Sequence, residues 1–230
     1  MRDRGCCRVK QANPKPILPG PAQVYFSKAP SDDVKSYDGS GDWFKVRQAL
    51  FCANPGNDGA LTDAWCTWGQ PGIAFEIPDR LPNGLVLPMK PRRALDSKSS
   101  PFHTDSHSEY LVRVEHIPLH GAQGKPGGAE FYYSCAQLKI EGNNGNTWLP
   151  TRTAKIPGMI QPDDEAVLFN IWSQVTDYPT APGSELIIGG TTWGTSDGSG
   201  DGVARQMVKR AVGMGGSAAA VARAMVANQA

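Results

Sequence analysis

No run of apolar residues in the chain approaches the ~18 needed to cross a bilayer, so no membrane-spanning helix is expected. Net charge is nearly absent, with 23 Lys and Arg against 22 Asp and Glu. Neither nucleic acid nor an anionic membrane surface is therefore an expected partner. Aromatic residues are few at 8%, whereas Gly (26) and Pro (19) are abundant. That balance disfavours a helical bundle and favours short strands joined by turns. No Cys-x-x-Cys pair occurs, which argues against a zinc ribbon or a thioredoxin-type site. The opening Met1-Arg-Asp-Arg-Gly-Cys-Cys-Arg-Val-Lys10 lacks the apolar stretch of a signal peptide. Asp163, Asp164 and Glu165 form one short run. A glycosidase acid/base pair must face itself across a cleft, so this run reads as a solvated turn.

What is present reads as an all-β chain. Gln23–Lys28, Trp43–Arg47, Gly72–Pro78, Tyr110–His116, Phe131–Ile140 and Ala166–Trp172 are rich in β-branched and aromatic residues or alternate with period two. Six or seven short strands between Gly/Pro turns predict an immunoglobulin-like or fibronectin-like β-sandwich with long loops. Residues 1–19 are basic and Pro-broken and read as a disordered or misassembled N-terminus. The sandwich is expected over 20–188. Residues 189–230 read as a Gly/Ser/Ala-rich linker and tail, with a weak helix from Val203 as the alternative.

Five cysteines make an odd count. Cys52 and Cys66 flank a Gly/Asn/Asp-rich loop and are expected to close it. Cys6 and Cys7 are adjacent and cannot easily pair with each other. One thiol at least is left over.

Several motifs, in order along the chain, carry a resemblance. They are Gly20-Pro-Ala-Gln-Val-Tyr25, Asp38-Gly-Ser-Gly-Asp-Trp-Phe-Lys45, Leu111-Val-Arg-Val-Glu-His-Ile-Pro-Leu-His120 and Ala129-Glu-Phe-Tyr-Tyr-Ser-Cys-Ala-Gln137. Ile156-Pro-Gly158 and Tyr178-Pro-Thr-Ala-Pro-Gly183 complete the series. Each is weak alone. Together they resemble the fungal lytic polysaccharide monooxygenases of auxiliary activity family 9, formerly glycoside hydrolase family 61, here with the N-terminal part missing. The resemblance implies a secreted enzyme that cleaves cellulose or a related β-1,4-glucan oxidatively. It implies a copper cofactor, an external electron donor and a monomer.

By the same resemblance Tyr132 is the axial tyrosine at the copper and His120 the histidine beside it. Glu130 replaces the family's glutamine, and Tyr178 lies on the flat cellulose-facing surface. Cys135 is implied to pair with a cysteine in the N-terminal portion. The family's copper is held by an N-terminal histidine and a second histidine. Here no His precedes His103, and Leu18 stands where the second is expected. Leucine has no donor for a metal. Little monooxygenase activity is therefore expected of this chain, and a non-catalytic cellulose-binding protein of the same fold is the alternative. His116 and His120 are spaced i, i+4 and would share a strand face, which leaves a two-histidine metal site as a further alternative. Trp43, Trp65, Trp68, Trp148 and Trp172 could include a sugar platform, although strand tryptophans are more often core.

Leu85–Ser108 is basic, Pro-broken and Ser-rich. Its removal joins Leu81-Pro-Asn-Gly84 to Glu109-Tyr-Leu-Val-Arg113 as a clean turn into a strand. Loops of this length without structure are uncommon inside compact domains. The segment reads as a translated intron, with a genuine surface loop as the alternative. Sequencing the mature transcript is expected to show a species that skips this stretch. A message read only continuously through it would refute the intron.

Overall fold

The computed structural model describes residues 18–30, 33–55, 60–61, 63–70, 72–78, 81–82, 107–141, 148, 150–197 and 221–224. The expectations for residues 1–17, for most of 85–108 and for most of the tail lie outside these. Strands β1 (Ala22–Lys28), β2 (Phe44–Ala49), β4 (His107–His116), β5 (Tyr132–Glu141) and β6 (Leu186–Trp193) form one sheet in the order β5-β4-β1-β2-β6. Strand β3 (Ile73–Glu76) pairs with β7 (Val221–Ala224). The described helix is a single turn, α1 (Glu165–Leu168). The chain is all-β, as its composition predicts.

β1 is the middle strand, and its first six residues are all buried. Successive side chains of a strand point to opposite faces, so full burial means that both faces are covered. Val24 and Phe26 enter one apolar cluster with Phe44, Val46, Phe75, Tyr110, Val112 and Val114. Tyr25 points the other way, to Trp43, Leu111 and Val34. A separate cluster of Phe51, Trp65, Ile117, Leu119, Ile171 and Tyr178 lies beyond the ends of β1 and β4. The Cys52–Cys66 disulfide forms as expected, with Cα atoms 4.8 Å apart. Cys135 is also disulfide-bonded, to a partner outside the described residues.

Two expectations are corrected. Ala166–Trp172 is not a strand. Asp164 accepts a hydrogen bond from Ala166 N at 3.0 Å, which caps a helical turn at its start. An apolar run of this length does not by itself distinguish strand from helix. The supposed linker from 189 begins inside a strand, since β6 runs to Trp193 and Trp193 is buried. Gly189-Gly190 looks like a break, but the parallel ladder with β2 continues through it with a shift of register. A Cβ on Gly190 would lie 3.0 Å from Ile187 O and 3.1 Å from Val46 O, so glycine lets the strand bulge there. The described end of the tail, Val221–Ala224, is strand and not helix.

Lys45 is buried, and its ammonium donates to the carbonyls of Ala181 (2.7 Å) and Pro182 (3.0 Å). The Tyr25 hydroxyl donates to the same Pro182 oxygen at 3.1 Å. Together they pin the loop after Tyr178 onto the sheet. Burial pulls the Lys45 amine down to about 7. The unfolded chain thus holds more protons between pH 7 and the ordinary lysine value, and stability rises with pH across that window. Lys45→Met fills the space but leaves Ala181 O without its donor. We expect it to cost about 1–3 kcal/mol at neutral pH in urea denaturation, and to flatten the rise above pH 7. An unchanged pH profile would remove Lys45 as its source.

Candidate active site

The site lies at one end of the sheet. β1 and β4 pair with Ala22 opposite His116. The ladder runs on past both strands, with Ile117 N donating to Pro21 O and Leu119 N to Pro19 O, each at 2.9 Å. That register carries Leu18 to the side of His120. On the other side of β4, Tyr132 pairs with His116, and Glu130 N donates to Pro118 O at 3.0 Å. Two regions far apart in sequence, 18–22 and 116–132, therefore deliver Leu18, His120, Glu130 and Tyr132 to one edge.

The loop between His120 and Glu130 closes on itself at two glycines. A Cβ on Gly128 would sit 2.1 Å from Gly121 O, and one on Gly121 would sit 2.6 Å from Gly128 O. Only bare backbones can cross this closely. The crossing brings His120 Nε2 to 3.4 Å from Glu130 Oε1. The other carboxylate oxygen, Oε2, accepts the hydroxyl proton of Tyr132. That hydrogen bond is the main reason the Tyr132 phenol is raised above its ordinary value. His120 Nδ1 is buried without a hydrogen-bond partner, so Nε2 is the nitrogen that meets another group. Of the four residues placed at the site by resemblance, three stand together.

Tyr178 does not join them. It is only 1% exposed, its hydroxyl donates to Ala166 O at 2.9 Å, and its ring packs against Trp65 and Phe169 at 5.0 and 4.9 Å. The expectation of a surface tyrosine is corrected: the hydroxyl finds a carbonyl inside, so the ring is core. The exposed aromatic at this edge is Trp172, 57% exposed, whose indole N–H donates to His120 O at 2.9 Å. It follows fully buried Ile171, whose carbonyl accepts from Ala60 N. Neighbouring residues thus point in opposite directions. Phe131 and Tyr133 are also exposed, and Arg113 lies over the Tyr133 ring at 3.8 Å.

His116 and His120 do not form a pair. His116 is buried, and its Nε2 lies 3.1 Å from Leu18 O. His120 turns its Nε2 to Glu130 instead. No group of three or more His, Cys, Asp or Glu that could hold a metal occurs among the described residues.

The chain that builds this β-sandwich edge is similar to known proteins. The model of Auxiliary Activity family 9 (formerly GH61) matches residues 8–87 and 105–179. The chain belongs to that family. It is 43% identical over 178 residues to AA9 family lytic polysaccharide monooxygenase A of Aspergillus fumigatus, covering 77% of this chain and 50% of that protein. It is 42% identical over 182 residues to AA9 family lytic polysaccharide monooxygenase D of Emericella nidulans, covering 79% and 51%. The chain thus spans about half the length of these curated relatives. Among solved structures, a cellulose-active polysaccharide monooxygenase from M. thermophila matches with a TM-score of 0.55 and 30% identity, covering 75% of this chain and 67% of that one. The family match leaves residues 88–104 unmatched, within the stretch that reads as an insertion.

Copper serves this family, and the described residues do not fit a histidine brace for it. Such a site needs two imidazoles and an amine in one plane. His116 is turned inward to a carbonyl, Leu18 offers no donor, and His120 alone remains open.

Burial pulls the His116 imidazole down to about 4. Its folded value lies below its unfolded one, so the folded state resists protonation. Stability is full above pH ~6.5 and is lost as pH falls toward 4, by about 3 kcal/mol from this group. Urea unfolding at pH 7 and pH 4 is expected to show that difference, and His116→Gln to shrink it. An equal acid loss in the variant would place the effect elsewhere.

Proposed function

We propose that this chain derives from the enzymes that break down cellulose or a related β-1,4-glucan oxidatively outside the cell, and that it meets the glucan while lacking, among the described residues, the donors for the oxidative step. This chain supplies the edge that carries His120, Glu130, Tyr132 and Trp172. The observation that carries the reading is the convergence of His120, Glu130 and Tyr132 at one end of the sheet, beside an exposed aromatic ring. Aromatic faces stack on the apolar faces of sugar rings, so Trp172 is the residue that meets the glucan, in place of Tyr178. Its indole N–H is already tied to the His120 backbone, which limits the freedom lost on binding.

By resemblance, Tyr132 and His120 would be the residues beside the family's copper, with His120 able to hold or pass a proton. Glu130 departs from the family's amide. An ionised carboxylate only accepts hydrogen bonds, whereas an amide also donates. Glu130 here accepts from Tyr132 and so cannot direct a donor at an oxygen ligand in the family manner. An external reductant would be required by any redox chemistry. Because the donors for a brace are lacking, we derive no step through copper.

Two measurements test this. The chain is incubated with microcrystalline cellulose, and bound and free fractions are compared with those of Trp172→Ala. A several-fold weaker pull-down is expected for the variant, and equal binding would remove Trp172 from the glucan contact. The chain is then given copper, cellulose and ascorbate, and soluble products are examined for oxidised sugars. Little or no product is expected. Ascorbate-dependent product, or a type 2 paramagnetic resonance spectrum with three nitrogen ligands, would show that a brace forms after all.

A further inference from the structure

We propose that Phe131 and Tyr133 form a second contact surface for a neutral glucan chain, on the sheet face opposite to Glu130 and Tyr132. The inference rests on the polysaccharide reading and adds a surface to it. Glu130 N donates to Pro118 O, and Tyr132 pairs with His116, so the backbone is extended through this stretch. Alternation then turns Phe131 and Tyr133 to one face and Glu130 and Tyr132 to the other. β5 is the outermost strand of its sheet, so the two rings stand at the rim. They are 41% and 46% exposed. Residues two apart on a strand lie ~6.7 Å from each other, which sets the rings side by side.

The Tyr133 ring is held from beneath. The Arg113 guanidinium lies 3.8 Å from its centroid. Only 13% of the Arg113 side chain is exposed, so the guanidinium backs the inner face of the ring and the outer face meets solvent. Arg113 in turn bonds one oxygen of Glu115 through Nε and Nη2, and Gln23 donates to the other at 2.9 Å. Tyr133, Glu115 and Gln23 are successive partners across β5, β4 and β1. A row of fixed side chains three strands wide therefore sets the tilt of one exposed ring. Such pre-positioning lowers the ordering cost of binding. The ion pair beneath cancels its own charge, so it gives no pull on an anionic or a cationic partner. What the patch offers is apolar ring faces, and the flat C–H face of a neutral pyranose is the ligand that fits them. Shielding the ion pair needs only bulk at this position, whereas stacking on a sugar needs a flat ring.

That difference is the test. The full chain and its variants are pulled down on microcrystalline cellulose at low and at high salt, with circular dichroism to show that each is folded. Tyr133→Phe keeps the ring and is expected to bind as the parent does. Tyr133→Leu keeps bulk over Arg113 but loses the flat face, and should bind about 2–10-fold more weakly. Phe131→Leu should do the same, and it keeps the test decisive should Tyr133→Leu unfold. The double variant Trp172→Ala, Tyr133→Leu should bind more weakly than either single one. High salt should leave parent binding unchanged, because a neutral ligand presents no charge to screen. Full binding by folded Tyr133→Leu and Phe131→Leu would overturn the inference, and a loss confined to Trp172→Ala would leave the glucan reading standing without it. Parent binding that falls with salt would assign the patch to a charged partner and overturn it too. A parent that ignores cellulose would overturn both readings.

Discussion

The pairing of β1 with β4 is the constraint on which the rest of the molecule depends. Its register is set by burial, because a slip of one residue would turn Val24 and Phe26 to the face of Tyr25 and reverse the whole strand. With both faces of β1 covered, neither side tolerates that exchange. The same ladder extends beyond the strands through Pro21 and Pro19, whose carbonyls accept from Ile117 and Leu119. Proline lacks an amide proton, so these positions can only accept, and the extension is built to need nothing more. It ends at Leu18 and His120. The edge that carries the site is thus the continuation of the most buried pairing in the sheet.

That pairing also explains the polar groups in the interior. Gln23 and Glu115 are cross-strand partners and hydrogen-bond at 2.9 Å, and Arg113 meets Glu115 from the same strand. A buried carboxylate without partners would be costly. Here it is served by an amide and a guanidinium. Lys45 is served by two backbone carbonyls of the loop after Tyr178. The Lys45 contacts hold the loop after Tyr178 in place, whereas the Arg113–Glu115 pair adds little net stability, since a buried ion pair often barely repays its desolvation. The loop pinned by Lys45 follows the Tyr178 packing, and that packing in turn supports the segment carrying Trp172.

The strands that alternate or concentrate β-branched residues were legible in the sequence: β1, β2, β4 and β5 lie within a few residues of where the pattern puts them. β6 was not, because its Gly-Gly reads as a break and only the parallel partner β2 makes it a strand. α1 was hidden for the opposite reason, since Ala166-Val-Leu-Phe is apolar enough for either state and the Asp164 cap decides. Of the site, His120, Glu130 and Tyr132 could be found through motifs. The exchange of Tyr178 for Trp172 as the exposed ring could not. Both are aromatic residues in one loop-rich stretch, and which one turns inward depends on whether its polar atom finds a partner there. Tyr178 reaches Ala166 O, while the Trp172 N–H reaches His120 O at the rim.

Family membership and site chemistry therefore separate in this chain. The fold builds the edge, and the crossing of Gly121 and Gly128 sets the distance between its two sides. Fold alone does not carry function, which resides in the donors that the fold presents. Leu18 presents none, and His116 spends its imidazole on a backbone carbonyl inside the protein. Glu130 brings a carboxylate to the edge, and the Tyr132 hydroxyl donates to it. A phenol that donates to a carboxylate is held in a set direction and is harder to ionise. Among the described residues the edge thus presents an imidazole, a carboxylate and a phenol. What it can bind follows from these groups more than from its ancestry.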